Sequence, residues 1–205
     1  IAKGITAIDT AYWNSKLDSS SIQNFVDLTT AQTVAGAKTF SSDLTVNGIT
    51  VGKGGGAIAS NTANGDRALY SNTTGGYNTA NGNLALYSNT TGGYNTANGV
   101  DALYYNTEGN YNTANGNYAL YFNTTGDKNT ANGYAALLYN TEGNYNTATG
   151  QSALQTNTTG SNNTANGVEA LFSNTTGSNN TAIGYQADVA RNNLSNATAI
   201  GNGAT

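Results

Sequence analysis

Tyrosine is the side chain best suited to let this sequence contact another molecule. The chain has 14 tyrosines, and many of them fall at fixed positions of a 17-residue repeat. Two sets share a position and are the candidate receptor or glycan contacts: Tyr77, Tyr94, Tyr111 and Tyr145 in one, and Tyr105 and Tyr139 in the other. An exposed tyrosine joins a rigid apolar ring to a polar hydroxyl, which suits it to bind sugars or proteins. The alternative is that the rings of successive repeats stack on one another and shield one edge of the folded repeats.

The first tyrosine set is interrupted along the chain. Lys128, Asn162 and Asn179 occupy the same position in other repeats, so a stack of rings is not required everywhere. We therefore expect a receptor site, if this segment carries one, to lie in the half of the repeat region before Tyr145.

The acidic side chains predict no catalytic centre. Glu108 and Glu142 share one position two repeats apart, and Asp101 and Glu169 share another four repeats apart. If successive repeats stack like neighbouring strands of a sheet, the two carboxylates of the first pair would be roughly 10 Å apart. This separation is too large for a retaining glycosidase and borders the range of inverting glycosidases. Because the sequence has no long loops to build a cleft around them, we interpret these carboxylates as solvated charge and expect no enzyme activity.

Composition excludes several other classes of site. The chain has no Cys, His or Met, so zinc sites built on Cys or His, histidine bases and cysteine nucleophiles are ruled out. A net charge of −4 with only 7 basic residues disfavours nucleic acid, because Lys and Arg supply most of that affinity. No stretch approaches the ~20 apolar residues of a membrane span, so we expect no membrane insertion. The glycine run at residues 52–56 is interpreted as a flexible turn without phosphate-loop spacing, and we expect no cofactor.

The repeat indicates the fold. Asn-Thr-Ala recurs every 17 residues starting at Asn61, and fixed glycine, alanine and leucine positions accompany it, starting at Gly65, Ala68 and Leu69. Helical repeats need about 33–47 residues, whereas proline-free segments punctuated by Gly and Asn suit β-coils. We predict an all-β protein, an elongated β-solenoid or β-roll of 17-residue coils. It would occupy residues 44–205, with clear repeats from residue 61.

Each coil is predicted to hold two short strands. In the first clear repeat these are residues 62–64 and residues 68–73. The fixed Leu69 predicts a core side chain, and the freely varying position of Ser71 predicts a side chain in solvent. About nine coils, spaced like neighbouring strands of a sheet, would form a rod roughly 43 Å long.

Residues 1–43 lack the repeat and are interpreted as a short N-terminal neck or connector. Asp9 and Thr10 are placed to cap a short helix that ends at Leu17. Trp13, the only tryptophan, is assigned to packing within this neck, with docking to an upstream protein as the alternative. Residues 39–46 alternate enough to predict a strand leading into the solenoid.

The thin apolar core of one coil predicts self-association. Burying a Leu contributes about 1.5–3 kcal/mol, whereas ordering each backbone costs about 1–2 kcal/mol, so one coil falls short alone. Ala68 and its copies are small enough to let neighbouring chains approach closely. We expect a parallel homotrimer around a common axis. A monomeric solenoid held by stacked backbone hydrogen bonds is the alternative.

Two kinds of motif carry a resemblance to known families. Residues 180–184 (Asn-Thr-Ala-Ile-Gly) and residues 197–204 resemble the head repeats of trimeric autotransporter adhesins, which build a left-handed parallel β-roll in a trimer. The longer pattern Asn-Thr-Ala-Asn-Gly-x-x-Ala-Leu-Tyr-Ser-Asn-Thr-Thr-Gly and residues 30–40 are similar to elements of bacteriophage tail-fibre proteins. The period of 17 and the Asn at most positions where the adhesins carry Ile depart from the adhesin pattern.

The resemblance implies a non-enzymatic structural and adhesive fibre, a shaft or receptor-binding segment of a phage-like tail fibre on the virion. Its partners would be further copies of the chain, a host cell-surface glycan or protein, and an upstream tail or anchor protein. One alternative is a trimeric adhesin on a bacterial cell surface, outside the cell. Another is an ice-binding solenoid, which rests on a threonine present in every repeat: Thr62, Thr79, Thr96, Thr113, Thr130, Thr147, Thr164, Thr181 and Thr198.

Overall fold

The structure is a computed structural model that describes residues 43–46 and 49–205. This part of the chain is all-β, apart from one short 3-10 turn at Gly55–Ala57, and its 11 strands form one sheet in chain order. The strands are β1 (Leu44–Val46), β2 (Ile49–Gly52), β3 (Thr62–Gly65), β4 (Thr79–Asn81), β5 (Thr96–Asn98), β6 (Thr113–Asn115), β7 (Thr130–Asn132), β8 (Thr147–Thr149), β9 (Thr164–Asn166), β10 (Thr181–Ile183) and β11 (Thr198–Ile200). The predicted neck, with its helix to Leu17 and the packing of Trp13, lies outside these residues except for Asp43.

The predicted β-solenoid of 17-residue coils is confirmed. From β3 to β11 every strand pairs in parallel with the next one, so that each Thr lies opposite the Thr of the following repeat and each Ala opposite the next Ala. Eight steps of about 4.8 Å correspond to roughly 38 Å of stacked coils. β1 and β2 instead form an antiparallel hairpin that pairs antiparallel with β3, so the parallel coils begin at β3 and not near residue 44.

The predicted second strand of each coil is wrong. Residues 68–71 form turns, because Arg67 and Leu69 have φ angles of 52° and 55° that no strand can accommodate. The segment still bonds from coil to coil, since the Leu69 amide donates to the Ala85 carbonyl at 2.9 Å. A left-handed backbone costs a non-glycine residue roughly 1–2 kcal/mol. Complete burial of the Leu69 side chain offsets that cost, so the predicted facing of the leucine is right although its backbone conformation is not.

The core consists of stacked alanines and leucines within a single chain. Ala63, Ala68 and Leu69 are at most 4% exposed, as are their copies up to Ala199, Ala187 and Leu171 respectively. Ala68 therefore packs inside its own coil, which corrects its assignment to the contact between neighbouring chains. The freely varying position is at least partly exposed, as predicted, with Tyr105 41% and Tyr139 45% exposed.

Two columns of asparagine are also buried, which the sequence analysis did not predict. In the first column, Asn106 donates one Nδ2–H to Asn89 Oδ1 at 2.8 Å and another to the Gly109 carbonyl at 3.0 Å. The members of this column are at most 3% exposed: Asn72, Asn89, Asn106, Asn123, Asn140, Asn157 and Asn174. Each amide from Asn72 to Asn157 thus links two consecutive coils, because its oxygen accepts from the asparagine of the following repeat.

The second asparagine column joins side chains to the backbone. Asn112 Nδ2 donates to the Gly126 carbonyl at 2.7 Å, and Asn112 Oδ1 accepts from the Asn129 amide at 2.9 Å. Among the described residues, every buried side-chain nitrogen or oxygen has a hydrogen-bond partner. Satisfied polar ladders therefore replace part of the apolar core that such short coils lack.

Asn112→Asp is expected to destabilise the chain by about 3 kcal/mol or more. The new oxygen would face the Gly126 carbonyl in place of a donor, and the carboxylate, although its other oxygen keeps the Asn129 amide, would be buried without an opposite charge. The control is Asn115→Asp, which makes the same change at an exposed position where Nδ2 donates to Asn132 Oδ1. We expect it to cost less than about 1 kcal/mol. Urea unfolding followed by circular dichroism measures both, and equal losses would contradict the assigned role of the buried ladder.

The glycine run before the first coil is a cap and not a flexible turn. The Gly55 amide donates to the Leu69 carbonyl at 2.9 Å, and a Cβ on Gly54 would lie 2.7 Å from the Leu69 Cβ. Asp43 clamps the run from outside, since its carboxylate accepts from the Lys53 and Gly54 amides at 2.7 and 2.8 Å. Only residues without a side chain approach the coil this closely, so the glycines close the end of the core.

Candidate binding surface of stacked tyrosines

The first predicted tyrosine set forms a ladder on the surface. The ring centroids of Tyr77 and Tyr94 are 4.7 Å apart and those of Tyr94 and Tyr111 are 4.8 Å apart, with interplanar angles of 9° and 8°. These side chains remain 62%, 50% and 53% exposed. The rings therefore cover one another's faces, as the stacking alternative expects. They present to solvent a row of ring edges and hydroxyl groups, not flat faces.

Backbone conformation explains the asparagines that interrupt this ladder. The position is left-handed in every coil, with φ of 60° at Tyr94, 56° at Lys128 and 58° at Asn162. Asn is the non-glycine residue that tolerates this region best, so it can replace Tyr wherever stacking is not needed. The left-handed backbone thus explains the asparagines at this position but not the tyrosines or Lys128.

Tyr145 is separated from the ladder by Lys128. Lys128 Nζ donates to the Tyr145 hydroxyl at 2.9 Å and lies 4.8 Å from the centroid of the Tyr145 ring. The hydrogen bond to Tyr145 raises the pKa of Lys128, so the ammonium form is favoured. This end of the surface therefore joins a cation to an aromatic ring, unlike the uncharged ladder before it.

The second predicted set forms another stack with a residue between its members. Phe122 lies between Tyr105 and Tyr139, with centroid distances of 5.4 and 5.3 Å. A neighbouring column, which the sequence analysis did not include among the site residues, stacks at 5.1–5.6 Å: Tyr70, Tyr87, Tyr104 and Tyr121. The two columns meet edge to face, since the Tyr105 and Tyr121 rings stand 87° apart at 5.2 Å. Together they make a continuous aromatic surface in the middle of the solenoid.

A groove opens beside this aromatic surface. It has a volume of about 290 Å³ and is lined by Tyr118, Tyr121, Phe122, Tyr134, Ala135, Leu138 and Gln155. Tyr118 stands edge to face against Tyr121 at 63° and against Tyr134 at 82°, so Tyr118 and Tyr134 are outside the parallel stacks. Tyr134 is 54% exposed. Both tyrosines occupy repeat positions where most other coils carry a non-aromatic residue, so the repeat pattern does not single them out.

Burial raises the pKa of two phenols of the aromatic surface. Desolvation is the main cause that raises the pKa of Tyr121 to about 12, and it also raises the pKa of Tyr104. Because the neutral form is favoured in the folded chain, this contribution to stability is complete below the ordinary tyrosine pKa of 10.0 and is lost as pH rises through about 12. At neutral pH the Tyr121 hydroxyl is therefore a hydrogen-bond donor as well as an acceptor.

No protein-family model, curated protein or solved structure matches this chain. The resemblance to tail fibres and adhesin heads is therefore a hypothesis that rests on the motifs alone. In the described part of the chain, no three acidic side chains gather into a group that could hold a metal ion. The same residues include no helix with the length and apolar character needed to cross a membrane.

Proposed function

We propose that the chain is a non-enzymatic structural and adhesive segment, the shaft or receptor-binding part of a phage-like tail fibre on the virion. The observation that carries this proposal is the uninterrupted parallel stack from β3 to β11. Its inward polar groups are bonded from coil to coil, which suits a stiff element whose coils each contact only their neighbours. The exposed tyrosines then offer a contact surface along such a rod, directed at a glycan or protein on the host cell.

The proposal includes a parallel homotrimer, although Ala68 and its copies pack inside their own chain and give it no support. Its support is the set of large apolar side chains that the single chain leaves exposed, among them Ile183 at 42% and Ile200 at 66%. Light scattering at micromolar concentration should give about three times the 20.9 kDa chain mass. A particle with the mass of one chain would refute the trimer while leaving the solenoid unaffected.

The adhesive role predicts a loss of binding when the tyrosine ladder is shortened. Tyr94→Ala combined with Tyr111→Ala should weaken attachment to host-type bacterial cells by at least about tenfold, because it removes two adjacent exposed rings. Asn162→Ala, at the same repeat position, is the control and should bind like the wild type. The measurement is binding of fluorescent protein to whole cells, with circular dichroism to confirm folding. Unchanged attachment of the double variant would exclude the ladder as the contact surface.

A bacterial cell-surface adhesin is a second function that the same surfaces would suit. It differs from a tail fibre in its anchor, which would hold the chain to an outer membrane and not to a tail protein. The sequence flanking these residues in the full-length protein distinguishes the two. A membrane-anchor barrel downstream supports the adhesin, and a self-cleaving chaperone domain supports the fibre.

An ice-binding solenoid is supported by one specific observation. On each parallel strand the Thr and the third residue point away from the buried Ala, and they stand in register from coil to coil, as in β6 and β7. This repetition makes an ordered polar face. Purified protein would have to show thermal hysteresis that Thr113→Lys with Thr130→Lys abolishes. Wild-type protein without hysteresis would exclude this function.

A further inference from the structure

The groove beside the aromatic surface has the chemistry of a carbohydrate subsite. We propose that it binds one or two pyranose units of a glycan chain, at a place distinct from the Tyr77–Tyr94–Tyr111 ladder. The inference names the ligand class of the adhesive segment and so rests on the proposed function.

The dimensions of the groove limit its occupant. Its lining comes from three consecutive coils, from Tyr118 in the first to Gln155 in the third. Two steps of about 4.8 Å give it a length of about 10 Å along the stack. With a volume of about 290 Å³, it lies at the small end of ligand sites and accommodates a short piece of a chain of rings.

The lining matches the two kinds of surface that a pyranose presents. A pyranose has apolar C–H faces and a rim of hydroxyl groups. Tyr118 and Tyr134 stand outside the parallel stacks, so their rings are available to pack against the C–H faces. The phenol hydroxyls and the Gln155 amide can both donate and accept hydrogen bonds with the sugar hydroxyls.

The charge and size of the groove favour a sugar over a second copy of the chain. None of its lining residues is charged, which suits a neutral ligand. A stable protein interface buries about 800 Å² per partner and draws on about 20–30 residues a side. The groove offers only seven lining residues, so it is too small to hold a second chain by itself.

The test is a titration with defined oligosaccharides. Cellotetraose, maltotetraose, chitotetraose and mannotetraose are each added to the purified chain while saturation-transfer NMR and tyrosine ring shifts are recorded. At least one should bind, and Tyr134→Ala should weaken it by at least about tenfold, whereas Tyr134→Phe, which retains the ring, should weaken it less. Gln155→Ala should also weaken it. Tyr185→Ala, at the same repeat position as Tyr134 and 52% exposed, is the control and should bind like the wild type.

Several outcomes would overturn the subsite. These are no binding of any probe, equal binding by Tyr134→Ala and wild type, or equal weakening by Tyr185→Ala. Sedimentation that shows Tyr134→Ala abolishing self-association, with sugar binding unchanged, would assign the groove to a chain–chain contact instead. Tyr134 is more than half exposed, so its truncation should not unfold the chain, and a melting curve checks this.

Failure of the subsite and failure of the proposed function give different results. If sugars bind in the groove but the chain attaches to no cell, the subsite stands and the adhesive role fails. If the chain attaches to cells through the ladder while no oligosaccharide shifts the groove resonances, the adhesive role stands and the subsite is refuted.

Discussion

Gly116→Val is expected to destabilise the chain by about 4 kcal/mol or more, which exceeds the effect of any change at Phe122. Gly116 has a φ of 139°, and a Cβ placed there would lie 2.5 Å from the carbonyl oxygen of Gly133 in the next coil. Valine therefore meets both a backbone conformation that it resists and a contact with main-chain atoms that cannot rotate away. The coils on either side would have to separate, which breaks the parallel ladder at that step.

Two further variants serve as controls. Gly116→Ala should already cause most of the loss, because the first side-chain carbon is the clashing atom. Phe122→Ser installs the residue found at the equivalent positions Ser88 and Ser173, and it should cost only about 1 kcal/mol through lost ring stacking. Thermal and urea unfolding by circular dichroism measure all three variants. Similar tolerance at Gly116 and Phe122 would refute the close approach of the coils.

Leu103→Asp is expected to destabilise the chain by more than about 4 kcal/mol at neutral pH. Leu103 is 0% exposed and lies in the leucine column between Leu86 and Leu120, where a carboxylate has no partner. Leu103→Met retains the volume and the apolar character and should cost less than about 1.5 kcal/mol. Leu103→Met therefore controls for replacement of the leucine where volume and apolar character remain.

The pH dependence of this variant has a definite sign. Burial raises the pKa of the introduced carboxyl above its unfolded value, so the folded state binds the proton more tightly. The variant should therefore regain stability as the pH falls through the folded-state pKa of that carboxyl, an effect that Leu103→Met lacks. Urea unfolding at pH 7 and pH 4 measures it. A melting temperature for Leu103→Asp close to that of the wild type would mean that Leu103 is not inside.

The strand Thr113–Asn115 and its copies show what could be predicted from sequence. The period predicts parallel in-register stacking, because identical residues then meet identical residues at every step. Comparing the repeats with one another also separates the buried Leu103 from the partly exposed Phe122 without any homologue. These predictions succeed because the residue types that recur at one repeat position directly reflect whether that position is buried and which residue it meets in the next coil.

The asparagine ladder and the conformation of Leu103 could not be predicted from the sequence. Asn106 and Asn112 are buried only because neighbouring coils supply their hydrogen-bond partners, and ordinary burial preferences place asparagine in solvent. Leu103 is left-handed, with a φ of 53°, although local preferences assign that conformation to Gly or Asn. Contacts between coils override both preferences.

What the sequence by itself determined is the architecture: all-β, 17-residue coils, glycine at the closest approach and leucine inside. These follow from a repeat, in which each residue's neighbour along the stack is known in advance. The tertiary structure decided the glycine cap, the buried asparagine ladders and the groove at Tyr118 and Tyr134. Each of these depends on which side chains of different repeat positions face one another across the coil, and the period carries no information about that.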